Sequence, residues 1–104
     1  MAKNQDNNLN INVEINRIVH EPARLKILAY LSLVESADFT FLVSRIGLTM
    51  GNLSAHISKL EDAGYIEVNK DFKDNRPRTM ISLTSGGRNA FTAYREEMLQ
   101  LLGE

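Results

Sequence analysis

The spacing of apolar side chains along the chain changes twice, from helical to alternating and then back to helical. Near the start, apolar residues recur every three or four positions, at Ile11, Ile15, Ile18 and Val19. This spacing predicts a short amphipathic helix over residues 10–19. Residues 1–8 before it are polar and rich in Asn and Gln, so we expect a disordered tail there.

A second helix is predicted to begin at Glu21 and Pro22, because proline is tolerated in a first helical turn, where its missing N–H costs no hydrogen bond. Apolar residues follow on most sides of this helix: Ala23, Leu25, Ile27, Tyr30, Leu31, Leu33 and Val34. We therefore expect it to be buried around much of its circumference and to lie at the centre of the core.

A short third helix is predicted over residues 39–46, and it ends at Gly47 because glycine readily adopts the left-handed conformation that terminates helices. Thr49 then caps a fourth helix, since its side-chain oxygen can accept a hydrogen bond from the first turn. This helix extends to about residue 63 and stops at Gly64. Its apolar stripe is narrow and consists of Leu53, Ile57 and Leu60.

Beyond Gly64 the apolar residues alternate, which predicts two strands separated by a polar break over residues 71–77. The inward positions of these strands are Ile66, Val68, Ile81 and Leu83. Thr84 or Ser85 then caps a final helix with an apolar stripe at Phe91, Tyr94, Met98 and Leu101. The predicted fold is mainly α with a small β-hairpin, in the order α-α-α-α-β-β-α.

Length, composition and charge limit the classes of protein to which the chain can belong. With 104 residues, the chain has room for one domain, which we place at residues 9–104. It has no cysteine and no apolar run long enough for a membrane span, so a cytoplasmic protein is expected. The formal net charge is −1, yet residues 70–88 carry five basic and two acidic residues. That segment is a local basic patch, and its alternative interpretation is an ordinary solvated loop.

The outer face of the fourth helix is the first candidate for chemistry. With its apolar stripe turned inward, small and polar residues face outward, namely Gly51, Asn52, Ser54, Ala55, Ser58, Lys59 and Asp62. Small residues let a helix backbone approach base edges, while Asn, Ser and Lys supply hydrogen-bonding groups for the major groove of DNA. An amphipathic surface helix that merely faces water is the alternative. The basic hairpin that follows favours DNA, because its cations can reach neighbouring phosphates.

Several motifs resemble small winged-helix regulators of the MarR/ArsR type. The runs 48–56 and 60–66 are similar to the recognition helix and first wing strand of these proteins. The runs 76–79 and 83–88 resemble their wing and the start of their last helix, and 21–28 resembles their first core helix. The resemblance implies a homodimeric winged helix-turn-helix repressor that places two recognition helices in successive major grooves of a pseudo-palindromic site.

From the residues and this resemblance together, we predict contacts with double-stranded DNA through the recognition helix, residues 49–63, and the wing, residues 70–79. The predicted DNA-binding residues are Thr49, Gly51, Asn52, Ser54, Ala55, Ser58, Lys59, Lys73, Arg76 and Arg78. Domains of this shape also dock proteins, so a protein-interaction module without DNA binding is the alternative function.

The apolar stripe of the last helix extends beyond what one small core can cover, which predicts a two-fold interface with the first helix. The predicted dimerisation residues are Ile11, Ile15, Ile18, Phe91, Tyr94, Met98, Leu101 and Leu102. No catalytic motif is recognised, so we predict that the protein is not an enzyme and needs no cofactor. The only histidines are His20 and His56, which makes a metal switch unexpected. A small-molecule effector is left open.

Overall fold

The computed structural model describes residues 11–103 and contains four helices and three strands within that range. In chain order the elements are α1 (Pro22–Leu31), β1 (Ala37–Asp38), α2 (Phe39–Ile46), α3 (Met50–Asp62), β2 (Ile66–Lys73), β3 (Arg76–Leu83) and α4 (Ser85–Leu102). The strands form one antiparallel sheet in the order β1-β3-β2. The predicted winged helix-turn-helix fold is confirmed. The predicted disordered tail at residues 1–8 lies outside the described residues.

The hydrophobic core is built around α1, as its apolar pattern predicts. The largest fully buried side chains are Val19, Ile27, Leu28, Leu31, Leu42, Leu53, Leu60 and Ile81. Each of the other long elements therefore contributes to one continuous cluster, into which α3 inserts its narrow apolar stripe. The helix ends at Leu31, where the Ser32 hydroxyl donates to the Ala29 carbonyl, and Leu33 beyond it is exposed.

The helix boundaries follow local capping signals in the sequence. Glu21 caps α1, with its carboxylate accepting the Arg24 N–H at 2.8 Å. The Thr49 hydroxyl accepts the Asn52 N–H at 3.1 Å, and the Thr84 hydroxyl accepts the Gly87 N–H at 2.9 Å. Each cap satisfies an N–H that a first helical turn leaves without a partner inside the helix.

The predicted helix over residues 10–19 is wrong for its described part, 11–19, which consists of turns and irregular backbone. The side-chain oxygen of Asn16 accepts the N–H groups of Ile18 and Val19, at 2.9 and 3.1 Å. Asparagine competes in this way with the backbone acceptors of a helix. A further bond joins the Asn16 amide to the Tyr65 hydroxyl at 2.9 Å, so polar contacts fix this segment to the core.

The sheet differs from the sequence prediction in two respects. The short strand β1 was not predicted; it pairs Ala37 and Asp38 with Ile81 and Met80 of β3. The predicted polar break at residues 71–77 is also too long, because the hairpin pairs continuously out to Lys73 and Arg76. The two strands therefore form a ribbon of eight residues each that projects beyond the core.

The start of α4 is fitted closely against the end of the α3–β2 connection. A side chain at Gly87 would place its Cβ 2.0 Å from the Tyr65 carbonyl oxygen, so this position requires glycine. The same carbonyl accepts the Thr84 N–H at 3.0 Å, and the Thr84 hydroxyl donates to the Gly64 carbonyl at 2.7 Å. The Gly86-Gly87 pair therefore serves close packing. Among residues 11–103, no helix is long and apolar enough to cross a membrane.

Candidate nucleic-acid interface

The connection between α2 and α3 is a tight turn of three residues. Gly47 ends α2 with φ of 81°, and its N–H donates to the Val43 carbonyl at 3.0 Å. A residue with a Cβ is strained at that φ, which explains glycine here. Leu48 follows, and Thr49 caps α3. The turn therefore fixes the angle at which α3 leaves α2, as the sequence predicts.

The outward face of α3 is small and polar along its N-terminal half, apart from Met50, which is 60% exposed. Leu53, Ile57 and Leu60 are buried against the core and His56 is half-buried, while most of the remaining positions point to solvent. All of the helix residues predicted to contact DNA are exposed, together with the cap: Thr49, Gly51, Asn52, Ser54, Ala55, Ser58 and Lys59. Gly51 faces open space, with no atom within 4 Å of the position a Cβ would take. The helix backbone at Gly51 can therefore come close to a facing surface such as the wall of a DNA groove.

The ribbon of β2 and β3, which we call the wing, is closed by a two-residue turn at Asp74 and Asn75. Both residues have positive φ, 53° and 62°, as a type I′ hairpin turn requires. Asp and Asn adopt this region more readily than other residues with a Cβ. The tight turn keeps the two strands paired to their ends and makes the wing a defined projection instead of a loose loop.

The two faces of the wing differ in character. One face continues the core outward through the pairs Ile66–Leu83, Val68–Ile81, Lys70–Thr79 and Phe72–Pro77. The other face carries Glu67–Ser82, Asn69–Met80, Asp71–Arg78 and Lys73–Arg76. The predicted cations Lys73 and Arg76 are therefore direct cross-strand neighbours beside the turn. Their mutual repulsion is unfavourable unless an anion lies near them.

Arg78 is held by Asp71 on the same face of the wing. Its Nε and Nη2 donate to the two carboxylate oxygens at 2.8 and 2.9 Å, which is a bidentate ion pair. The hydrogen bond from Arg78 lowers the pKa of the Asp71 carboxyl from its ordinary value, and that of the guanidinium is raised in return. This pairing could not be predicted from the sequence pattern, because it depends on the hairpin register. Arg78 must share or release Asp71 to contact a phosphate.

A cleft of about 440 Å³ separates α3 from the wing. Ser54 and Ser58 of α3 lie on one side of it, and Lys70 and Thr79 of the wing lie on the other. The structure therefore brings part of the predicted helix surface next to the base of the wing. Lys73 and Arg76 lie farther out, at the wing tip. Lys70 was included in the predicted wing but was not singled out as a DNA contact.

Behind α3, a buried polar cluster fixes the helix to α1. The Arg24 side chain is 9% exposed, its Nε donates to the Ile18 carbonyl at 2.6 Å, and its Nη1 lies 3.1 Å from Nδ1 of His56. Because arginine only donates, the His56 Nδ1 acts as the acceptor in this arrangement. Glu21 lies 3.8 Å from the same nitrogen. His56 thus packs inward, and sequence reasoning missed Arg24, since a charged residue is seldom buried.

The predicted dimerisation residues fall into two groups. Ile15, Ile18, Phe91 and Met98 pack partly against the core of their own chain, and Tyr94 is buried there. Ile11 and Leu102 remain exposed, Leu101 is half-buried, and Leu99 is a further exposed apolar residue that was not predicted. Beside them an apolar groove of about 290 Å³ is lined by Leu25, Phe91, Tyr94, Arg95, Met98, Leu99, Leu102 and Gly103.

The comparison with known families assigns most of the chain. A family model described as a winged helix DNA-binding domain matches residues 23–102, which include every helix and strand except the first residue of α1. An uncharacterised protein of Methanocaldococcus jannaschii is 41% identical over 85 residues, which cover 82% of this chain and 92% of that protein. The match therefore extends over nearly the whole length of both proteins.

Solved structures agree with this match. A transcriptional regulator homologue from Pyrococcus horikoshii superposes with a TM-score of 0.77 and 30% identity, covering 82% of this chain and 84% of that one. A MarR mutant from E. coli, solved in complex with operator DNA, gives a TM-score of 0.66 at 20% identity, covering 77% of this chain and 57% of MarR. The latter likeness concerns the fold. The family and fold are those of transcriptional regulators and not of enzymes.

Proposed function

We propose that this chain, which belongs to the family of winged helix DNA-binding domains, is a MarR-type transcriptional regulator that binds a specific double-stranded DNA site as a homodimeric repressor. The observation that carries the proposal is the exposed outer face of α3, where every exposed residue from 49 to 58 except Met50 is small or polar. A helix of this kind fits the major groove, where its side chains meet base edges.

We assign base contacts to the N-terminal half of α3. Asn52 presents an amide that can both donate to and accept from a base, and Ser54 and Ser58 add hydroxyls on the same exposed surface. Gly51 and Ala55 have little or no side chain, so the helix can approach the DNA closely enough for these groups to hydrogen-bond to the bases. The positive end of the helix dipole at Thr49 favours an adjacent phosphate. Lys59 extends the cationic surface toward the DNA backbone.

The wing supplies contacts beside the major groove. Lys73 and Arg76 are exposed cross-strand neighbours, and a phosphate between them would relieve their repulsion. Arg78 is a weaker contact in the proposal, because it already donates two hydrogen bonds to Asp71. Phosphate contacts of this kind fix the orientation of α3 without reading sequence.

We place the two-fold interface at α4. The groove beside this helix is apolar, and the exposed Leu99 and Leu102 lie on its border. In a two-fold dimer, the leucines of each α4 would be buried in the groove of the other protomer. Both protomers would then contribute the same surface to the interface. Such a dimer would present its two copies of α3 to successive major grooves, about 34 Å apart. Occupation of a promoter by this dimer would repress transcription, and the protein would work in the cytoplasm.

Selection of bound duplexes from a random-sequence pool tests the proposal. We expect a pseudo-palindromic site whose half-sites lie about one helical turn apart. Asn52→Ala should alter the preferred bases, with losses of about 1–3 kcal/mol at the positions that Asn52 reads. Arg76→Ala should weaken binding to all sequences by similar factors. Recovery of no enriched duplex would reject the proposal and leave a protein-interaction module as the function.

A further inference from the structure

The wing carries a large aromatic side chain that the core does not use. Phe72 is 73% exposed and pairs across the ribbon with Pro77, which is also exposed. The two residues lie at the outer end of the face that begins with the buried Ile66 and Ile81, beyond the polar pair Lys70–Thr79. The ring is therefore available for contact with a partner at the end of a projecting ribbon.

The position of Phe72 is fixed by the elements around it. Its neighbour Asp71 forms the bidentate ion pair with Arg78, directly across the ribbon. On its other side, the tight turn at Asp74 and Asn75 closes the hairpin after one more residue pair. Phe72 therefore lies on a rigid part of the wing, between an ion pair and a tight turn, and not on a flexible loop.

The surroundings of Phe72 indicate which occupant fits. Lys70 lies on the same face of the wing, and Lys73 and Arg76 lie beside the turn. Residues 70–78 carry four basic and two acidic residues, and the acidic Asp71 is paired with Arg78. The ring therefore lies in a segment of net positive charge, with Lys70 on its own face and Lys73 and Arg76 on the opposite face. Duplex DNA matches both parts, because its phosphates attract the cations while its sugar walls and base steps offer apolar surface in the minor groove.

We propose that Phe72, backed by Pro77, enters the minor groove of bound DNA as an apolar wedge and adds affinity that no charged residue supplies. The inference rests on the proposed function and deepens it. Phe72 lies four residues beyond Val68 at the edge of the core, or roughly 13 Å along the strand. That length places the ring beyond the core, on the face of the wing that lies beside α3. The wedge opens or bends the base step it meets.

Salt titration distinguishes the wedge from ordinary phosphate contacts. On a duplex recovered by the wild-type protein, Phe72→Ala should lower affinity about tenfold per wing at every salt concentration, with the slope of log K against log salt unchanged. Arg76→Ala should instead reduce that slope by about one per wing. Leu33→Ala removes another exposed apolar side chain, outside the wing, and should change neither affinity nor slope.

Two further measurements locate the ring. The chain has no tryptophan, so Phe72→Trp introduces a single reporter whose emission should change when the duplex is added. Replacing guanine by inosine at the contacted step removes the minor-groove amino group while leaving the major-groove edge intact. Because the inosine replacement and Phe72→Ala affect the same contact, inosine should alter the affinity of the wild-type protein. It should have little effect on the affinity of the Phe72→Ala variant.

The outcomes separate this inference from the proposed function. If Phe72→Ala binds the duplex as tightly as the wild-type protein while Arg76→Ala still weakens it, the wedge is rejected and DNA binding stands. A loss that disappears at high salt would likewise reject the wedge, as would a change in the mass of the protein with unchanged DNA affinity. Absence of any duplex binding by the wild-type protein would reject both.

Discussion

Two glycines in first helical turns illustrate how single positions serve different purposes. Gly51 in α3 faces open space, whereas a Cβ at Gly87 in α4 would collide with the Tyr65 carbonyl. Both residues lower the helix propensity of their segments relative to alanine. The structure therefore gives a packing reason for glycine only at Gly87, and the proposed DNA surface gives the reason at Gly51.

We expect Gly51→Ala and Gly87→Ala to have opposite effects on stability. Alanine at position 51 should raise the free energy of unfolding by up to about 1 kcal/mol, because it restricts the unfolded chain without a clash. Alanine at position 87 should lower it by about 1–3 kcal/mol through overpacking. Urea denaturation of both variants checks this. In DNA binding, Gly51→Leu should fold normally and bind poorly; tight binding by that variant would remove position 51 from the interface.

The Asp71–Arg78 pair gives the wing a dependence on pH. Because the folded-state pKa of Asp71 lies below its ordinary value of 3.8, the pair stabilises the fold above that pH. The contribution is lost as pH falls through the lower folded-state value. Asp71→Asn should therefore melt below the wild-type protein at neutral pH, with the two melting temperatures converging in acid below pH 3.8. A difference that is constant from neutral pH into strong acid would show that the pair adds nothing.

At the scale of elements, the segment before α1 is held by side chains and not by helix formation. The Asn16 side chain accepts two N–H groups and donates to Tyr65. Asn16→Ala should lower the free energy of unfolding by about 1–3 kcal/mol, since each lost hydrogen bond contributes about 1 kcal/mol. The amides of Ile18 and Val19 should exchange faster with solvent. Asn89→Ala, at an exposed position of α4, is the control, and equal exchange in both variants would contradict this account.

The elements that were predicted correctly are those marked by local signals. Gly47, Thr49 and Thr84 end or cap their helices through contacts within four residues along the chain, so the sequence pattern was sufficient. The predicted helix was wrong over residues 11–19 because Asn16 accepts the N–H groups of Ile18 and Val19 and also bonds to Tyr65, 49 positions away. Strand β1 likewise exists only through its pairing with β3. Apolar spacing contains no information about such distant partners.

The candidate interface also contains some features that local sequence signals predict and others that depend on distant pairing. The outward face of α3 follows directly from the spacing of its buried leucines and isoleucine, and the structure exposes the expected residues. The pairing of Arg78 with Asp71, and the alignment of Phe72 with Pro77, depend on the hairpin register. The polar composition of residues 71–77 concealed that register, because such residues are more typical of loops than of strands.

At the scale of the whole molecule, one exposed apolar surface lies at the end of α4, beside the groove. Leu102 is 77% exposed beside the apolar groove. We expect the wild-type protein to be a dimer at micromolar concentration and Leu102→Asp to be monomeric, because a buried carboxylate without a partner disrupts an interface. Light scattering gives both masses. Leu33→Asp, at a similarly exposed leucine outside the groove, should remain dimeric, and a monomeric wild-type protein would reject the proposed interface.

Binding to duplex DNA depends on the face of α3, the wing and the dimer at the same time. The chain as a whole carries a formal charge of −1, so steep salt dependence can come only from a local cationic surface. We therefore single out fluorescence anisotropy of a selected duplex, titrated with the wild-type protein across salt concentrations. Three cations per protomer, Lys59, Lys73 and Arg76, predict a slope of log K against log salt of about −5 for the dimer. A flat response, or no binding at low salt, would contradict the account.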